Sequence, residues 1–534
     1  MSIECNQPVP SGCNPTMVTD PRLLKAFQVR FNAATQEAFI GVAPQDTNTD
    51  LSLPDKCGTY SKCLKQDSPG IVNPAAFTAF YNAVKTHDFA AFNALTPFLG
   101  GKRKLNGPMG AFAYSYVGCD ASQLGAPTVA KPYSVASEGY ATELIELYWC
   151  SLLRDVAFTD YPNSPVAHAA CKELTDSATI AFDGPTDGGK VTPTLLFRGI
   201  FQGEDIGPYI SQFFLTPTVF GAAPFDQKYI TYRPNIDYMT DLDTWFDVQN
   251  GIGTGFSNQN DTTLRYLHDG RGLAAFTHVD ELYQSYFTAY LVLNIIGAPP
   301  NPTSPYAVTM SATQNGFGTF GGPDIASVLG QVAKLALNTC WYQKWFVHLR
   351  HRPESGGGLV HLLNTGHAPF DANPLPRALN SKAVKASFDK YRTYLLLQPF
   401  PEGSPSHPAY PTGHGAVGGA CITILKFFFD GDFVFNCPQV PGANGTQLEH
   451  WDNNPSTGKP GKLTVNGELH KLAHNVSFGH GLHGGIHWRS DTDASVKLGE
   501  AVAIRFLNDL ACSYGEPIDI TFKDLEGNPV NIKN

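Results

Sequence analysis

Apolar residues in this chain recur at the spacing of a helix and seldom at the spacing of a strand. That pattern restricts the fold to packed helices. From Ala136 to Phe158, the residues Leu144, Ile145, Leu147, Tyr148, Leu152 and Leu153 fall at helical intervals. Asp20 to Phe39 is a second amphipathic segment, with Pro21 where proline suits a helix start. Pro74 to Leu95 and Asp280 to Ile296 supply two more. Long loops rich in Gly, Pro and Asn separate them. The aromatic-rich stretch from Phe201 to Gly255 has few clear caps, and no regular element is assigned to it.

A chain of 534 residues exceeds what one hydrophobic core usually serves. The Pro/Gly-dense segment Gly297 to Pro305 (GAPPNPTSP) is the best internal boundary. The expectation is an all-α protein, two helical bundles packed together with long loops: an N-terminal half, 1–300, and a C-terminal half, 301–534.

The net charge of -10 argues against a general nucleic-acid partner, so any basic site must be a local pocket. No stretch approaches the roughly 20 apolar residues of a membrane span. The longest, Ala420 to Phe435, is broken by Lys426 and by Asp430-Gly431-Asp432. The opening MSIECNQPVPSGCNP lacks a positive region followed by an apolar core and does not read as a signal peptide, which leaves the compartment open. The 11 cysteines are odd in number and show no metal-ligand spacing. Cys57 with Cys63, or Cys5 with Cys13, are spaced to close small loops, yet mostly free thiols are expected.

Chemistry concentrates in three short strings. In the first, KWFVHLRHRPE, Pro323 to Arg350 reads as one helix with Ile325, Val328, Leu329, Val332, Leu335 and Ala336 on its buried stripe. Lys344, His348 and Arg352 then share one side, four and eight residues apart, and Pro353 ends the helix. Taken alone, these are ordinary cations at a solvated helix C-terminus.

The second string, SPSHPAYPTGHG, opens a helix at Thr412-Gly413-His414. A helix N-terminus presents unpaired N–H groups and partial positive charge, so it attracts anions. Gly413 lets the backbone approach closely, and Thr412 adds a hydroxyl that either caps the helix or donates to a bound oxygen. His414 stands at the mouth, and His407 lies in the lead-in. In the third string, GGIHWRSD, His487 precedes a helix. Asp491 either fixes its tautomer or caps the helix, and Ser490 with Asp493 has the spacing of a capping box. His474, His480 and His483 make the region histidine-rich. Two fixed cations, a glycine-opened helix start and an imidazole suit a tetrahedral oxyanion.

The order and spacing of these strings resemble the vanadium-dependent haloperoxidases, which share their pocket with the phosphatidic-acid-phosphatase-type acid phosphatases. SPSHPAYPTGH is similar to the bromoperoxidase string SPSHPxYPSGH, with Thr412 in place of serine. FLGGKRKLNGP (98–108) and GPYISQ (207–212) also look like algal and cyanobacterial bromoperoxidases. One departure is plain. The family carries an arginine six residues before its ligand histidine; here that count lands on Gly481, or on His480 if one residue is inserted. A protonated His480 or an inward-swinging Arg489 is the candidate replacement.

The resemblance implies a haloperoxidase-like pair of four-helix bundles and a homo-oligomer, dimer or dodecamer. It implies vanadate bound by Lys344, Arg352, Thr412, Gly413 and His480, with His487 as the axial metal ligand. His414 and His407 are then the proton-transferring residues. Hydrogen peroxide and bromide or another halide are the substrates, and the hypohalous acid formed halogenates an organic acceptor. Two other readings stay open: phosphoryl hydrolysis with His487 as nucleophile and His414 as leaving-group acid, or a non-redox anion-binding scaffold. No acidic loop argues for calcium.

Overall fold

The computed structural model describes residues 20–176, 182–307, 310–367 and 376–534. It is helical. Strands among the described residues form only two-stranded antiparallel hairpins, the longest pairing Asp519–Lys523 with Pro529–Lys533 at the C-terminus.

Eight helices carry the argument: α1 (Pro21–Ile40), α2 (Glu138–Leu153), α3 (Gly270–Val279), α4 (Gly322–Tyr342), α5 (Pro353–Asn364), α6 (Gly413–Phe428), α7 (Val465–Phe478) and α8 (Arg489–Ser513). Their ends follow local chemistry. Asp20, Ser137, Asp269 and Thr464 cap α1, α2, α3 and α7 by accepting backbone N–H bonds. The Pro74 to Leu95 segment is broken. A helix, Pro74–Thr86, stops at His87, whose φ is 55°, and a short one, Phe89–Asn93, follows. The helix expected from Asp280 begins only at Gln284.

Helix α6 is the centre. All of its residues are buried, and it packs between α4, α7 and α8. The small residues after Gly413 are there for packing. A β-carbon on Gly419 would stand 2.0 Å from the Val496 carbonyl oxygen, and one on Gly499 would stand 2.0 Å from that of Ala416. The backbones of α6 and α8 therefore touch where they cross, which only glycine permits. The main apolar core takes Leu144 and Leu273 from before segment 297–305 and Val332, Ile422 and Phe506 from after it.

Two buried arginines brace α2 against the chemistry-bearing segments. Arg350 pairs with Glu143 at 2.9 Å and Asp491 at 2.7 Å. Arg489 forks onto Glu146, 2.5 Å away, and donates to the Arg198 carbonyl. Losing one member of such a pair leaves a buried charge uncompensated, at a cost of about 3–5 kcal/mol.

The helix expected over Pro323 to Arg350 is not continuous. Helix α4 ends at Tyr342, and Gln343–His348 form a π-helical turn. Leu349 then adopts φ 46°, and Arg352 becomes the cap of α5 with Pro353 at its first position. The wider turn and the left-handed residue break the register, so Lys344, His348 and Arg352 do not share a face. The ring of His348 lies against Tyr410 and bonds Gln343 at 3.1 Å. Burial, aided by Arg350, holds His348 down to about 3. Nor are the basic residues of this string solvated: Lys344, Arg350 and Arg352 are all buried.

Helix α8 is capped differently from the Ser490–Asp493 expectation. Its cap is Trp488, whose N–H donates to Asp491 Oδ2 at 3.1 Å. Cys57 and Cys63 are unpaired thiols, and Cys5 and Cys13 lie outside the described residues. No helix among the described residues is long and apolar enough to cross a membrane.

Candidate functional site

The start of α6 is the floor of the site. Thr412 has extended backbone angles, φ -78° and ψ 139°, and its N–H donates to the Asp491 carbonyl at 3.1 Å. Its hydroxyl does not cap the helix. Thr412 Oγ1 is buried without a hydrogen-bond partner among the described residues, although threonine at this position ordinarily bonds back to the first turn. A β-carbon on Gly413 would stand 3.3 Å from Leu337 Cδ1, so glycine here serves the contact with α4.

Two cations reach this point from different elements. Lys344, on the π turn, donates from Nζ to the carbonyls of Pro408 (3.0 Å) and Ala409 (2.6 Å). Arg352 donates from Nε to His407 O and from Nη1 to Ile486 O, both at 2.9 Å. Its Nη1 also lies 2.8 Å from His487 Nε2, and Nη2 touches the His407 ring at 3.0 Å. Neither cation has a carboxylate partner among the described residues, in contrast to Arg350, Arg489 and Lys62 nearby. Burial, with Arg103 adding to it, pulls Arg352 down to about 10, and burial, with Arg352 adding to it, pulls Lys344 down to about 7. A pocket that penalises its own positive charges in this way gains from an anion.

His487 is fixed in one tautomer. Its Nδ1 donates to Asp491 Oδ2 at 2.9 Å, so Nε2 carries the lone pair and accepts from Arg352. Asp491 performs both roles left open by the sequence, orienting His487 and bonding the α8 cap, while Arg350 holds its other oxygen. Burial, then Arg352 and Lys344, keep His487 well below the usual histidine range.

The remaining imidazoles form a wall. His480 sits in a second π turn, Gly479–His483, with its ring 4.1 Å from His414 and 5.8 Å from His487. Its Nδ1 is buried and has no hydrogen-bond partner among the described residues. A β-carbon on Gly481 would lie 3.2 Å from His487 Cβ. Of the two positions open to the missing arginine, His480 is therefore the one facing the wall. It does not replace the charge, since burial, then His414, hold it well below the ordinary range. Arg489 does not replace it either, being bound to Glu146. His407 packs on Trp341 at 4.7 Å and is likewise held neutral, by burial and then Arg352.

His414 Nε2 lies 2.9 Å from Asp280 Oδ1, just past the end of α3, while Asp280 Oδ2 is buried without a partner among the described residues. Asp280 was invisible as a site residue in the sequence, for it lies 134 positions from its partner. His474 and His483 serve other contacts, with Glu204 and Asp493, and with Cys150 and Tyr209. No cluster of three or more His, Cys, Asp or Glu placed to hold a metal ion occurs among the described residues.

Two cations without carboxylate partners among the described residues, a buried unpartnered hydroxyl at the start of α6 and an imidazole oriented by Asp491 thus come from neighbouring segments of one buried region. Such a donor set fits a tetrahedral oxyanion with one open coordination position.

A family model described as the VCPO second helical-bundle domain matches residues 328–512. A vanadium-dependent bromoperoxidase of Ascophyllum nodosum is 30% identical over 532 residues, covering 95% of this chain and 92% of that one. One from Corallina officinalis is 28% identical, with 96% and 98% covered. The solved homohexameric second vanadate-dependent bromoperoxidase (AnII) of A. nodosum is 28% identical. It superposes with a TM-score of 0.87 over 99% of this chain and 94% of that one.

Proposed function

The chain belongs to the vanadium-dependent bromoperoxidases and is an enzyme of that class; from that premise we propose that Lys344, Arg352, Thr412, the first N–H groups of α6 and His487 would hold vanadate. The observation that carries this reading is the pair of buried cations without carboxylates beside an imidazole whose lone pair is directed by Asp491. Vanadate bound there supplies a Lewis-acid centre that activates hydrogen peroxide toward attack by bromide or another halide.

The chain's own residues do the rest. Lys344 and Arg352 stabilise negative charge developing on oxygen in a water-poor site. Thr412 Oγ1 donates to one oxygen. His414, oriented through Nε2 by Asp280, moves a proton at Nδ1. His407 fixes the Arg352 fork and shares in proton transfer on the same wall. His480 contributes a neutral hydrogen bond where the family places a cation. The overall reaction would be oxidation of bromide or another halide by hydrogen peroxide to hypohalous acid, which would halogenate an organic acceptor. We assign this chain a homo-oligomeric assembly, as the solved relative is named homohexameric.

The test is bromination by protein stripped of vanadium, with peroxide and bromide, before and after vanadate is added. Activity that appears only with vanadate and is suppressed by phosphate supports the reading. Phosphatase turnover inhibited by vanadate, without bromination, would instead make His487 a nucleophile.

A further inference from the structure

Helix α1 carries an apolar stripe that has no packing partner among the described residues. None of its residues is buried. Leu23, Phe27 and Phe31 are 62%, 41% and 59% exposed, and Ala34 and Ala38 are exposed beside them. These five positions advance by 4, 4, 3 and 4 residues. At about 100° per residue they fall within an arc of about 80°, the seam spacing of paired helices. Phe27 and Phe31 stack on each other at 5.9 Å and extend the patch. The helix is held on its other side, where Glu37 pairs with Arg505 of α8 at 2.5 Å and its carbonyl accepts from Gln123 at 2.7 Å. A helix so lightly attached gains little from propensity alone, and a contiguous apolar stripe of this kind marks an interaction surface.

We infer that this stripe is a two-fold contact between copies of the chain, with α1 of one subunit antiparallel to α1 of its partner and the axis near Phe31. The inference rests on the homo-oligomeric reading above and says which surface makes the assembly. Three observations favour a second copy. A 4-3 seam is self-complementary, as an isologous contact requires. Ala34 and Ala38 let another backbone approach, but give a lipid surface nothing to hold. The basic residues Arg22 and Lys25 lie in the first turns of α1, so an antiparallel pair about Phe31 keeps the two copies of them at opposite ends.

The full-length protein and its Phe27→Glu/Phe31→Glu variant are compared by analytical ultracentrifugation, with Phe220→Glu, on an exposed hairpin, as control. The expected result is an oligomeric wild type and control, and a smaller variant whose association is at least tenfold weaker, with circular dichroism and vanadate loading unchanged. A monomeric wild type sinks the homo-oligomeric reading itself. An oligomeric wild type with an equally large variant overturns only the α1 contact, as does variant-sensitive binding to anionic vesicles without a change in sedimentation. A second measurement needs no loss of assembly. Under mild oxidation Phe31→Cys is expected to give a 31–31 disulfide by peptide mapping. Leu23→Cys is not, because the two copies of residue 23 would lie about 24 Å apart along the seam. A 23–23 bridge overturns the antiparallel arrangement.

Discussion

Arg352 joins His487 to the backbone: one Nη1 lies 2.8 Å from His487 Nε2 and 2.9 Å from the Ile486 carbonyl oxygen. The cation and the His487 imidazole are thus held together by the same guanidinium edge. Arg352→Lys keeps the charge and loses the fork. Vanadate affinity, read by equilibrium dialysis, is expected to fall about 10- to 100-fold, the range of a lost charged hydrogen bond. The vanadium NMR signal of the loaded protein should shift. Unchanged affinity and unchanged signal would show that charge alone matters here.

His480 is buried and neutral, so removing it should cost less than removing a cation. His480→Ala is expected to change vanadate affinity by less than about threefold, against 10-fold or more for Lys344→Met. His480→Arg should tighten binding and make phosphate a stronger competitor. If His480→Ala is as damaging as Lys344→Met, the imidazole is carrying charge and this assignment fails.

Asp280 acts through His414. Asp280→Asn keeps the hydrogen-bond geometry and loses the carboxylate. It is expected to lower kcat about 10- to 100-fold and alter the pH–rate profile, while vanadate affinity stays within a few-fold. Equal losses in kcat and in vanadate affinity would mean that Asp280 only supports the fold.

His474 supplies a pH signature remote from the site. Burial works to lower it, but the Glu204 and Asp493 carboxylates outweigh burial and lift it to about 9 from 6.5. A raised histidine contributes stability fully below about 6.5, and that contribution fades as pH rises through about 9. The melting temperature of the wild type should therefore fall over this interval more steeply than that of His474→Gln. Parallel curves would remove His474 from the account.

The site was legible because its members sit in short strings. Arg352 reaches His407 and His487, and Lys344 reaches the Pro408 and Ala409 carbonyls just ahead of Thr412 and His414. What stayed hidden depends on backbone register or on distant chain. A π turn has no compositional signature, so residues 343–348 read as ordinary helix and His348 was set on the wrong face. A second π turn, 479–483, decides that His480 and not Gly481 faces the wall, and no count along the sequence could decide it. Asp280 is joined to His414 only by the fold. The small residues of α6 announced a helix start, but their reason is the touch with α8 at Val496 and Gly499. Helix α1 was plain as an amphipathic element, yet periodicity does not say which stripe turns inward.

The π turn that ends α4 makes spacing more fragile than chemistry in this part of the chain. A side-chain replacement between Gln343 and Leu349 removes that residue's own contacts, such as the two carbonyl bonds of Lys344, and leaves the register intact. Deleting a single residue there would swing everything downstream by about 100°, detaching Arg352 from His487 while every other residue kept its identity. Homologues that differ by one position in this stretch should be compared by geometry and not by residue matching, because an intact set of letters can belong to a dismantled cage.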